Sequence, residues 1–135
     1  MVVLDTHVWI WSVNGDPKLG KAARDLLARG GTQGGFIVPA ISVWEVAMLE
    51  AKGRISFELS IQRWVGDALA APQYHLAELT PSIAIRSARL PGDFISDPSD
   101  RMIVATAVEL GAPLATRDAK IQAYAAAGSY EVMPI

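Results

Sequence analysis

Short apolar runs alternate along the chain with longer stretches of helical spacing. Val2-Val3-Leu4 is apolar at consecutive positions and ends in Asp5, the pattern of a strand buried on both faces with an acid at its carboxyl end. Thr6 to Val13 reads as a short helix stopped by the turn formers Asn14-Gly15-Asp16-Pro17. Lys18 to Arg29 then carries Leu19, Ala22, Ala23, Leu26 and Leu27 at helical intervals. After the glycine-rich stretch 30–35 comes a second buried strand, Phe36 to Pro39. Ser42-Val43-Trp44-Glu45 follows, matches Ser-x-x-Glu, and predicts a helix opening there and running through Lys52. Ile55 to Ala71 places Ile61, Trp64, Val65, Ala68 and Leu69 on one side, and His75 to Leu79 reads as a strand. Thr80-Pro81 starts a helix from Ser82 to Leu90, and Pro91-Gly92-Asp93 turns the chain toward Asp97-Pro98, a cap followed by a first-position proline. Gly111-Ala112-Pro113 breaks the helix that begins there. Leu114 to Thr116 is a strand, Asp118 opens a helix to Ala127, and Tyr130 to Met133 is the last strand.

Strands this short, apolar on both faces and separated by helices, predict a parallel sheet covered by helices on both sides. No Pro- or Gly-rich linker divides the chain and no internal repeat is visible, so residues 1–135 are expected to form one α/β domain.

Composition narrows the chemistry. With 51% hydrophobic and 19% charged residues the chain is globular, not disordered. The absence of cysteine excludes disulfides, thiolate zinc sites and a cysteine nucleophile. Two histidines, His7 and His75, are too few for a His-rich metal site, which leaves oxygen ligands and hard cations, Mg2+ or Mn2+. No basic segment precedes the first apolar run and no run is long enough for a membrane span, so a cytoplasmic protein without membrane contact is expected. A net charge of −2 offers nucleic acid no global attraction, yet neutralising a few carboxylates with a cation would turn the remainder positive. The glycines at 30, 31, 34 and 35 do not make a phosphate-binding loop, since no Lys-Ser/Thr follows and the next element is a strand.

The acids carry the functional signal. Asp100 falls at the third helical position, and Ile103, Val104, Ala107 and Gly111 follow at steps of three and four, so an acid heads an apolar stripe. Asp97 is sufficiently explained as a helix cap. A capping-box Glu likewise accounts for Glu45 on local grounds, although Met48 and Leu49 repeat the arrangement of an acid above apolar positions. Asp5 and Asp118 each follow a strand, and singly each reads as a turn acid or cap. Jointly, the four occupy the carboxyl ends of strands and the starts of helices, the places that gather around the ligand crevice of an open parallel sheet. Converging carboxylates repel and raise one another's pKa, so such a cluster is best explained by metal binding and, in turn, by metal-assisted phosphodiester hydrolysis. Thr116 stands ready to orient a water through its hydroxyl, whereas Arg101 and Arg117 read more simply as local charge balance than as phosphate contacts.

The motifs VVLDT with Asp5, ISVWEVA with Glu45, DPSDRMIVATA with Asp100 and LATRD with Asp118 resemble, in order and over nearly the whole chain, the PIN-domain ribonucleases. More narrowly, they resemble the VapC-type toxins of bacterial toxin-antitoxin pairs. The resemblance implies a PIN-like three-layer α/β/α fold with a short, mostly parallel central sheet, and an endoribonuclease dependent on Mg2+ or Mn2+. It implies that Asp5, Glu45, Asp100 and Asp118 hold the metal, that Thr116 supports them, and that Asp97 of the DPxDR variant joins them as a metal-site acid as well as a cap. It further implies an RNA substrate, a cognate antitoxin protein and a homodimer.

Other readings fit less well. An aspartyl phosphatase wants a second Asp two residues after Asp5, where His7 stands, and a response-regulator receiver wants an acidic pair and a late Lys that are not evident. A catalytically silent protein- or RNA-binding module, its acids all caps and its tryptophans 9, 11, 44 and 64 a partner surface, is the remaining alternative.

Overall fold

The computed structural model describes residues 1–32, 34–92, 95–125 and 130–135. Strands β1 (Val2–Leu4), β2 (Phe36–Pro39), β3 (Tyr74–Ala77), β4 (Leu114–Thr116) and β5 (Val132–Pro134) pair in the order β3-β2-β1-β4-β5. Every pairing is parallel, with Val3 opposite both Ile37 and Leu114. Helices α1 (Thr6–Asn14), α2 (Lys21–Gly31), α3 (Ala40–Ala51), α4 (Ile61–Ala70), α5 (Pro81–Ala88), α6 (Pro98–Leu110) and α7 (Ala119–Ala125) connect the strands.

Because side chains alternate along a strand, consecutive residues serve opposite faces of the sheet. Val2, Leu4, Val38 and Ala115 join Val8, Trp9, Val46, Trp64 and Ala68 in one core. Val3, Ile37 and Leu114 join Ile103, Val104, Ala107 and Ile121 in the other. This is the expected three-layer arrangement, and it explains why the inner strands β1, β2 and β4 are buried at successive positions. Gly35, with φ 87°, is required at the entry to β2, where a Cβ would stand 2.5 Å from the Gln73 carbonyl oxygen of the neighbouring strand's approach.

Several element limits differ from those the pattern predicts. The second helix begins at Lys21, not Lys18, because Asp16 closes a turn to Lys18 and Leu19, and that turn, not a helix, delivers Leu19 to the core. The fourth helix begins at Ile61 under a Ser60 cap, with Ile55 and Phe57 reaching the core from non-helical chain. The third helix begins at Ala40 directly after Pro39, so Ser42 and Glu45 lie inside it and the Ser-x-x-Glu match is not a capping box. Strand β3 is Tyr74–Ala77 rather than residues 75–79, and β5 is Val132–Pro134 rather than 130–133. Gly111 is the left-handed end of α6, with φ 61°, and does not continue the buried stripe below Asp100. Expectations for Gln33, Asp93, Ala126 and Ala127 fall outside the described residues.

Strand order fixes where a ligand can sit. From β1 the chain builds outward through β2 to β3, then returns to add β4 and β5 on the other side of β1. The reversal lies between β1 and β4, and connections leaving the carboxyl ends of adjacent strands on either side of it diverge to open a crevice.

Candidate metal centre

That crevice is a cleft of about 480 Å³, and Asp5, Glu45, Asp97, Asp100 and Asp118 all line it. They arrive from separate parts of the chain. Asp5 follows β1 and caps α1, Glu45 projects from the second turn of α3, Asp97 and Asp100 sit at the start of α6, and Asp118 precedes α7.

Hydroxyl groups fix most of these carboxylates. Asp5 accepts from the Thr6 main-chain N–H at 2.8 Å and from the Thr116 hydroxyl at 2.6 Å. Thr116 in turn accepts from the Asp118 N–H at 3.0 Å, which ties the chain leaving β4 to the acid leaving β1. Its proton is therefore committed to Asp5, and Thr116 positions that acid instead of orienting a water. Glu45 Oε1 lies 2.8 Å from the Thr6 hydroxyl, which also lies 3.0 Å from the Ser42 hydroxyl. A hydroxyl has one proton to give, so with Thr6 donating to the carboxylate, Ser42 donates to Thr6. Asp97 Oδ1 accepts from the Ser99 N–H, the Ser99 hydroxyl and the Asp100 N–H, the expected cap. Asp118 Oδ1 accepts from the N–H groups of Lys120 and Ile121 and so caps α7. Asp100 differs: among the described residues its carboxylate accepts no hydrogen bond.

The charges of the five are coupled. Burial pushes the Asp5 carboxyl upward, against the Thr116 and Thr6 hydrogen bonds, and Asp118 adds repulsion. Burial also raises Glu45, with repulsion from Asp5 and Asp97 outweighed in part by the Thr6 hydroxyl. Asp97, held by the Ser99 hydroxyl, is lowered. Asp100 is pushed up to about 7, first by burial and then by Asp5, Asp97, Glu45 and Asp118 together. It is the one acid that feels all the others.

Carboxylates that destabilise one another's ionised forms are the donor set for a hard cation, and oxygen is the only donor type they supply. Among the described residues no three of them stand in a closed coordinating group. The chemistry of the set fits Mg2+ or Mn2+, which need few protein oxygens and retain several waters.

Thr6 and Ser99 were not singled out by sequence reasoning, and Ser42 was read only as the serine of a capping box. Thr6 sits beside Asp5 and Ser42 three residues before Glu45, but only the packing of α1 on α3 brings the hydroxyls to Glu45. Arg101 does not balance the acids: it donates to the carbonyls of Ser87 and Ile95, joining α5 and the chain before α6. Arg117 donates to the main-chain oxygens of Lys18 and Ile135, and neither arginine forms an ion pair among the described residues. The four tryptophans do not make one surface. Trp9 and Trp64 are core residues stacked edge to face, while Trp44 is 57% exposed.

A parallel α/β sheet with an acidic cleft at its strand-order reversal is an open α/β fold with its ligand crevice outside the carboxyl ends of the strands. The PIN domain profile matches residues 2–127, and the chain belongs to the PIN domain family. It is 32% identical over 123 residues to Ribonuclease VapC22 of Mycobacterium tuberculosis, a match covering 91% of each chain. Its fold is similar to that of VapBC2 from Rickettsia felis, solved bound to a DNA fragment from the promoter. The TM-score is 0.71 at 14% identity, over 99% of this chain and 98% of that one. A toxin-antitoxin complex from Klebsiella pneumoniae matches with TM-score 0.61 at 20% identity, over 98% and 96%.

Proposed function

We propose that this chain is a metal-dependent endoribonuclease, a hydrolase of RNA phosphodiester bonds, acting as the toxin of a toxin-antitoxin pair. The observation that carries the reading is Asp100: an acid without a hydrogen-bond donor among the described residues, raised to about 7, facing four further carboxylates across one cleft. A set of surface caps would have no reason to bury an unheld carboxylate among like charges. The family membership and the likeness to a named ribonuclease support the same activity.

In this reading Asp5, Glu45, Asp100 and Asp118 hold Mg2+ or Mn2+, with Asp97 at the rim. The bound cation would neutralise charge on the scissile phosphate and lower the pKa of an attacking water. Thr116 keeps Asp5 aimed into the cleft, Thr6 and Ser42 do the same for Glu45, and Ser99 fixes Asp97. Below pH 7 protonation of Asp100 would compete with cation binding, so activity should rise with pH through that range. The similar Klebsiella pneumoniae structure is a toxin-antitoxin complex, which supports an antitoxin partner here. We carry the homodimer as part of the same proposal. Among the described residues no helix is long and apolar enough to cross a membrane.

The test is incubation of purified protein with total RNA in Mg2+, in Mn2+ and in chelator, beside an Asp100→Asn control. Discrete fragments that require the cation and vanish in the control are expected. Cleavage that persists in chelator or in the control would overturn the site assignment.

A further inference from the structure

The cleft has a second wall. Besides the acids it is lined by Trp11, Arg54 and Arg117, so a site full of negative charge also presents two guanidinium groups. Neither is paired with an Asp or Glu side chain: the ion pairs among the described residues are Lys21–Asp25, Arg63–Asp67 and Arg86–Glu109. Arg117 neighbours Asp118 in sequence yet forms no ion pair with it. Its Nε donates to the Ile135 main-chain oxygen at 3.2 Å and its Nη2 to the Lys18 carbonyl at 2.7 Å, while its guanidinium lies 4.6 Å from the centre of the Trp11 ring. Those contacts hold the group in one orientation and leave Nη1 without a hydrogen-bond partner among the described residues. Arg54, on the bend after α3 where Gly53 takes φ 69°, makes no side-chain hydrogen bond or ion pair among the described residues.

We propose that Arg54 and Arg117, the latter braced on Trp11, form the phosphate-gripping wall of this cleft and hold single-stranded RNA on either side of the bond presented to the acids. This inference rests on the ribonuclease reading and adds how the polyanion is kept in a cleft that would otherwise repel it. Arginine suits the task because its planar fork pairs two donors with a phosphate, and a pre-set guanidinium loses little freedom on binding. Contacts of this kind position the chain without reading its sequence. A merely structural role accounts for two donors of Arg117, but for none of Arg54.

The test is fluorescence anisotropy with a fluorescein-labelled, mixed-sequence 12-nucleotide RNA over a range of salt concentrations, with Ca2+ as the cation. Arg54→Gln, Arg117→Gln and Arg117→Lys are compared with wild type and with Arg63→Gln, which removes a surface arginine already paired to Asp67. Arg54→Gln and Arg117→Gln should each weaken binding several-fold and reduce the salt slope by about 0.7, the single-strand value for one phosphate contact. Arg117→Lys should keep the slope while weakening binding, and Arg63→Gln should change neither. Arg117→Gln also removes two main-chain ties, so Arg54→Gln, which breaks no hydrogen bond or ion pair among the described residues, keeps the test decisive. Wild-type binding matched by Arg54→Gln with an unchanged slope would overturn the inference alone. Absence of any RNA binding by wild type would overturn the ribonuclease reading and the inference with it.

Discussion

Helices α3 and α6 both bring a carboxylate to the cleft, and they do so in opposite ways. Helix α6 starts from a true cap, Asp97, with Pro98 at its first position, and Asp100 sits in the first turn near the positive end of the helix. Helix α3 runs on from β2 without a side-chain cap, and Glu45 emerges a turn further in. The longer side chain of Glu45 is latched by Thr6, itself backed by Ser42, whereas Asp100 has burial and repulsion and no donor. A latched acid keeps its direction whatever its charge. An unlatched acid among like charges responds to whatever neutralises it, which makes Asp100 the sensitive point of the site.

The largest effect should come from removing that charge. Asp100→Asn is expected to lower cleavage of RNA by more than about a hundredfold, since even groups one step removed from a metal cost 10- to 100-fold. In chelator the same variant should melt roughly 2–5 °C higher, because it relieves repulsion in the folded state. A variant that cleaves normally, or melts lower, would erase the contrast between the two helices.

Thr6→Val tests the latch. It should reduce cleavage by roughly 10- to 100-fold at a stability cost of about 1 kcal/mol, measured by initial rates and by denaturant unfolding. Glu45→Gln, which still accepts from Thr6, should keep stability close to wild type while losing activity. Similar activity losses without Thr6's involvement in Glu45 orientation would appear as additivity in the Thr6→Val, Glu45→Gln double variant; coupling is expected instead.

A third, smaller effect is in the pH dependence of stability. The folded pKa of Asp100 is about 7, against an ordinary value of 3.8, so the unfolded chain releases this proton first. Its contribution to stability is therefore fully present below about pH 4 and is lost as pH rises to about 7. Thermal melts in chelator should show that decline in wild type, and Asp100→Asn should flatten it. Smallest of all should be Asp97→Asn, which retains the cap and is expected to change activity only a few-fold; a loss as large as that of Asp100→Asn would move Asp97 from the rim to the centre of the site.

The layering, and which acids come to line one cleft, were legible in the local pattern. Apolar runs such as Val2 to Leu4 and Leu114 to Thr116 can be satisfied only between two helical layers, and the cap at Asp97-Pro98 is local chemistry that needs no partner. Asp5, Asp100 and Asp118 were legible because they stand at strand ends and helix starts, whereas Glu45 was read as a helix-start acid and stands in the second turn of α3. What tertiary structure alone decided were distances spanning the chain. Thr116 reaches Asp5 across 111 positions and Thr6 reaches Glu45 across 39, and no local pattern reports that a hydroxyl will be spent on a remote carboxylate. The same holds for Ser42, whose resemblance to a cap was local while its burial beneath Thr6 depends on how α3 meets α1. Helix starts, strand ends and apolar stripes come from interactions within a few residues. The aim and ionisation of the acids come from the strand order that folds those residues onto one another.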